Sequence, residues 1–254
     1  MRGLPKIEFK LASFKYNYQI LNYFVFHKSP KIRKRILNVY PELRKIYSIK
    51  KNTERDKFIR EFCKRQSSKN SKAIMKKKEI IDKEWRKIHT PFMKALSKVL
   101  EIKWPNTKII GYLSIVPVYP RHLNNWSFSF YYKENTKGII AVIAHEISHF
   151  LYFKKFKELF PKINKRRYDI PYIEWYLSEM LAPIILAHPK IKKIIGKRIQ
   201  RGYILRKREK LLYRKLLLLY KDSLKNREPF SEFLKKTYRL VKRINRGFVV
   251  KGFP

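Results

Sequence analysis

The sequence predicts an α+β protein that is mostly helical, with a small β-sheet ahead of a central apolar helix and a basic helical region at its C-terminal end. Three observations predict it. Apolar residues recur at helical spacing over long stretches, as at Ile74, Ile80, Ile81, Trp85 and Ile88. Two neighbouring segments, Thr107 to Val118 and Trp126 to Tyr132, carry the β-branched and alternating patterns of strands. Between the second of these and the basic tail lies Gly138 to Phe153, apolar enough to be a buried helix.

Bulk composition narrows the class. A chain of 254 residues with 44% hydrophobic and 15% aromatic content can bury a sizeable core, which excludes a disordered basic tail. The net charge of +43 is spread along nearly the whole chain, beside abundant Lys, Ile, Tyr, Asn and Phe. That spread reads as a composition bias rather than a dedicated binding arm, although such a surface would bind nucleic acid non-specifically at low salt. The lone cysteine, Cys63, excludes a disulfide-stapled scaffold. The N-terminal residues lack the apolar core of a signal peptide. The most apolar runs, 138–153 and 171–188, are interrupted by Glu146, Glu174 and Glu179, short of the roughly 18 apolar residues of a spanning helix. A cytoplasmic protein without a transmembrane segment is expected.

In order, Ile7, Phe9 and Leu11 alternate as a short strand, and Phe14 to Phe26 reads as a buried helix that Ser29-Pro30 breaks. Pro41 opens a short helix, and a polar helix over 53–66 follows from Thr53. Gln66 to Lys72, polar and small, reads as a linker. A charged helix spans 73–89, and Thr90-Pro91 restarts the chain into a helix reaching Ile102. Trp104-Pro105-Asn106 ends the helical region, and Tyr119 to Asn125 is a loop between the two strands. Asn135 to Gly138 turns the chain into the central helix. A second apolar helix spans 172–182, with Pro183 bending it or dividing it from Ile184 to His188. Basic amphipathic helices are expected near 190–200, 204–224 and 231–245, the last capped by Ser231. The divisions suggested are 1–70, 71–188 and 189–254.

The central helix carries His145-Glu146-Ile147-Ser148-His149. Residues four apart stack on one helix face, so His145 and His149 can offer two imidazole nitrogens to one metal ion. Glu146, one position along the turn, can reach a water at that metal. Two histidines and a glutamate in so apolar a helix would be costly without partners.

On these five residues the chain resembles the zincin superfamily of metallopeptidases. The resemblance covers the two central helices and the strands before them. It implies Zn2+ as cofactor, a peptide or protein as substrate, His145 and His149 as ligands, and Glu146 as general base and proton shuttle. The metzincin extension would need Gly at 152 and His at 155, where this chain has Tyr152 and Lys155. The gluzincin pattern remains, with a carboxylate from the next helix as third ligand. Glu174 and Glu179 are the candidates, about 140° apart in direction on a helix. Glu179 is favoured because its neighbours Leu177, Met180, Leu181 and Pro183 are more apolar, and because Tyr176 to Ala182 looks like the acid-bearing helix of zincin-like groups. Glu174 is then an acceptor for a ligand histidine, an alternative ligand, or a solvated acid at a helix start. Tyr172, Tyr176 and His188 are candidates for stabilising the oxyanion. By the same resemblance, Trp126 to Tyr132 is nominated as a sheet-edge strand able to pair with extended substrate, with an ordinary core strand as the alternative.

His27, His89 and His122 have no ligand-spaced partner. The alternatives to a plain zinc peptidase are a metalloprotease recruited to nucleic acid by its basic surface, and a non-catalytic basic nucleic-acid-binding protein with a structural metal site.

Overall fold

The computed structural model describes residues 3–27, 29–196 and 207–246. The expected mixture is present: a four-stranded mixed sheet in an otherwise mostly helical chain. The Cα framework forms two compact units, one from Pro5–Lys87 and Thr107–Ile143, the other from Met1–Leu4, Ile88–Asn106 and Ala144–Pro254.

The first unit holds the sheet. Strands β1 (Lys6–Leu11), β2 (Lys108–Ser114), β3 (Arg121–His122) and β4 (Ser127–Tyr131) stand in the order β1-β2-β4-β3. β2 runs parallel to both β1 and β4, and the two-residue β3 pairs antiparallel with β4. Thus β3 arises inside the expected loop. β4 is an inner strand, its five residues all buried, which does not match the edge expected of a substrate-pairing strand. Helix α1 (Phe14–Val25) starts at Ser13, whose hydroxyl accepts the Tyr16 N–H. Buried Asn17 ties this start to the sheet: its amide donates to the Ala12 carbonyl and its oxygen accepts from Ser114 Oγ at 2.8 Å. Helix α2 (Pro30–Val39), which the sequence pattern does not announce, begins with proline at its first position at the Ser29-Pro30 break.

Phe9, in the middle of β1, meets the rings of Trp85 and Phe130 edge-on at 6.5 and 5.9 Å. Its register partner is Gly111, where an added Cβ would lie 2.7 Å from a Phe9 ring carbon. The glycine is there for space, not for its backbone angles.

Helix α3 (Asn52–Val99) overturns two expectations, since the chain is helical through both the 66–72 linker and Thr90-Pro91. The buried residues explain why. Ile59, Phe62, Cys63, Ile74, Ile81, Trp85, Phe92, Met93 and Leu96 keep one helical stripe from end to end. The stripe crosses the polar stretch at Gln66 and Asn70, where Asn70 donates to both the carbonyl and the side-chain oxygen of Gln66. At Pro91 one helical hydrogen bond is lost, and burial on both sides of it holds the helix together.

The second unit contains the C-terminal part of α3 and of α4 (Thr136–Leu159), then α5 (Ile173–Leu186), α6 (Pro189–Ile195), α7 (Lys207–Lys225) and α8 (Phe230–Arg246). Pro183 does not divide α5, because Ile184, Ile185 and Leu186 are fully buried and continue its packing. Ser231 is not the cap of α8. The helix starts one residue earlier, and the Phe230 N–H donates to Glu101 Oε1 at 3.0 Å, a carboxylate well placed at a helix N-terminus. Residues 197–200 and 204–206 of the expected tail helices lie outside the described residues. Among the described residues no helix is long and apolar enough to cross a membrane.

The contact at Gly111 gives a direct test. Gly111→Ala is expected to lower unfolding stability by about 1–3 kcal/mol, the usual cost of overpacking a filled core. Urea unfolding monitored by circular dichroism measures it, and an unchanged midpoint would contradict the packing described.

Candidate metal centre

Helix α4 begins where Asn135 Oδ1 accepts the Gly138 N–H at 2.8 Å. From Ile139 to Phe153 every residue is buried. A helix apolar on all sides belongs in an interior, and its few polar side chains must find partners there. Helix α5 is similar: of Ile173 to Leu186, all but Trp175 and Glu179 are buried.

Within the second unit these two helices bring three side chains to one point. His145 Nε2 and His149 Nε2 lie 3.0 Å apart. Glu179 Oε2 is 3.3 Å from His145 Nε2, and Glu179 Oε1 is 3.3 Å from His149 Nε2. His149 is fully buried, His145 nearly so, and 13% of the Glu179 side chain is exposed. The two imidazole planes are steeply inclined, at 77°, and Phe153 stacks on the His149 ring. Glu146 is 5% exposed beside them on α4. Ser148 and Ser178 satisfy their hydroxyls on the carbonyls three residues earlier, of His145 and Trp175.

The donor set fits a small divalent cation. Ligand atoms about 2.0–2.1 Å from a tetrahedral Zn2+ lie roughly 3.4 Å from one another. The observed separations of 3.0, 3.3 and 3.3 Å are of that size, with the two imidazoles facing different oxygens of the Glu179 carboxylate. Two neutral imidazoles and one carboxylate leave a single negative charge in low-dielectric surroundings, which a cation would balance.

Glu174 is placed elsewhere. It is fully buried, and its Oε1 accepts from Arg167 Nε at 2.9 Å and from the Tyr238 hydroxyl at 2.7 Å. It is therefore not a solvated acid, and the donors it holds come from Arg167 and Tyr238 rather than a ligand histidine. The ion pair raises the pKa of Arg167, and burial followed by the Glu174 contact raises that of Tyr238. Burial pushes Tyr152 and Tyr168 up as well, with the Glu174 charge adding to both.

The three oxyanion candidates lie at the N-cap of α5, within α5 and at the N-cap of α6. Tyr172 is the N-cap residue of α5, with the Arg167 guanidinium 5.0 Å over its ring. Tyr176 is buried edge-on against Trp175. His188 is committed to the start of α6, where its Nδ1 accepts the Lys190 N–H at 3.2 Å. Burial and the nearby Lys190 lower the His188 pKa. Among the described residues, the one group of His, Cys, Asp or Glu side chains able to hold a metal ion is His145, His149 and Glu179. Sequence reasoning missed Arg167 and Tyr238, and no local pattern marks Tyr238, which lies 64 residues beyond Glu174.

No protein-family model, no curated protein and no solved structure matches the chain.

Glu179→Ala is expected to lose zinc more severely than the roughly 10–100-fold that removal of an outer partner costs. Competition with a chromophoric chelator measures it. Wild-type affinity in the variant would remove Glu179 from the donor set.

Proposed function

We propose that the chain is a zinc-dependent peptidase with a zincin-like core of the gluzincin type. The observation that carries the reading is the convergence of the two Nε2 atoms, 3.0 Å apart, on the Glu179 carboxylate, one oxygen lying 3.3 Å from each. It is supported by the order of the elements: a small sheet, the helix with both histidines and Glu146, and the acid on the next helix.

His145, His149 and Glu179 would hold the ion, whose bound state supplies a Lewis acid for the substrate carbonyl and acidifies water. The remaining chemistry belongs to Glu146. Next to His145 on α4 it would offer a carboxylate near the site, and its burial limits the competition of bulk solvent. The Glu146 carboxylate takes the proton of the attacking water as the new C–O bond forms at the amide carbon. It returns that proton to the nitrogen as the C–N bond breaks, so the amine leaves neutral. One carboxylate serves as base and then as acid, and no net proton is consumed by the protein.

Protein purified without added metal is expected to contain about one zinc per chain, the stoichiometry of a single catalytic site. Atomic absorption measures it, and absence of zinc would end the reading. Glu146→Gln is expected to keep that zinc while cleavage of quenched fluorescent peptides falls by about 10²–10⁴-fold. Unimpaired cleavage in this variant would remove Glu146 from the chemistry.

A further inference from the structure

Helix α5 poses a problem that apolar packing does not solve. A helix buried on almost every side has no hydrophobic face to dictate how it is rotated about its axis. Yet Glu179 reaches both imidazoles only at one rotation. The backbone gives less help than usual at this point, because Pro183 has no N–H for the carbonyl four residues before it.

Glu174 supplies the missing constraint. It lies about 140° around α5 from Glu179, so it faces other neighbours. There a fully buried carboxylate oxygen takes two donors from different parts of the chain. Arg167, from the 3₁₀ turn Lys165–Tyr168, donates at 2.9 Å, and Tyr238 on α8 donates at 2.7 Å. The surrounding rings are packed against one another: Phe156 lies 5.1 Å from Tyr238 and 5.8 Å from Tyr168, and Tyr168 stacks on Phe153 at 4.5 Å. A charge at the centre of such a cluster tolerates little displacement, since any other position leaves it desolvated and unpaired.

We propose that Glu174 is a positioning residue: gripped by Arg167 and Tyr238, it sets the rotation of α5 and thereby the approach of Glu179 to His145 and His149. Helix α8, remote in sequence, is then part of the support of the candidate metal centre. This rests on the zinc reading above, and its test separates the two.

Tyr238→Phe removes one donor and keeps the ring, and Glu174→Gln removes the charge at nearly constant size. The probe is Co2+ titrated into full-length protein. Expected for both variants is about 10–100-fold weaker Co2+ binding, the usual consequence of losing an outer partner. The visible Co2+ spectrum should change in the same variants, and so should the imidazole nitrogen resonances of His145 and His149 in metal-free protein. Unchanged affinity, spectrum and resonances would overturn the proposal. A lowered unfolding midpoint without those three changes would overturn it equally, since that is what a purely structural contact gives. If wild-type protein binds no Co2+, the zinc reading falls, and the resonances of the metal-free variants still decide whether Glu174 positions Glu179.

Discussion

Three polar side chains meeting between two apolar helices is the constraint on which the second unit depends. His145, His149 and Glu179 would each be costly in the interior alone. Together, at separations of 3.0 to 3.3 Å, they form one polar point in otherwise apolar helices. The same arrangement accounts for the composition of α4, where uninterrupted burial from Ile139 to Phe153 keeps the imidazoles in surroundings of low dielectric constant.

Around that point the support is polar as well as apolar. Glu101, at a left-handed backbone position after α3, offers its carboxylate to the first N–H of α8 and its carbonyl to buried Lys155 of α4. Tyr238 of α8 in turn donates to Glu174 of α5. Acidic and cationic side chains thus connect the ends and flanks of helices whose apolar faces alone are interchangeable. In the first unit the corresponding role falls to Asn17, which joins the start of α1 to the end of β2 through a buried amide.

Local signals were readable in the sequence and long-range ones were not. The four-residue spacing of His145 and His149 and the apolar surroundings of Glu179 are properties of single helices, and the structure brings those three residues together. The buried partners of Glu174 belong to other segments, so the sequence leaves it open between an acceptor for a ligand histidine, an alternative ligand and a solvated acid. Residues 66–72 are helical against their composition for a related reason. Their composition resembles a linker, but the apolar stripe running from Ile59 to Leu96 decides the conformation. Pro91 and Pro183 likewise mark lost hydrogen bonds without ending their helices, because residues beyond each proline are buried. Ser231 had the chemistry of a cap, while the acid that serves α8 lies 129 residues from Phe230.

X-ray absorption at the zinc edge reads directly which atoms would surround the proposed ion. Ligation by His145, His149 and Glu179 would give nitrogen and oxygen donors at about 2.0–2.1 Å, with the multiple scattering of two imidazoles. A sulfur donor at about 2.3 Å, or a spectrum with a single imidazole, would contradict it.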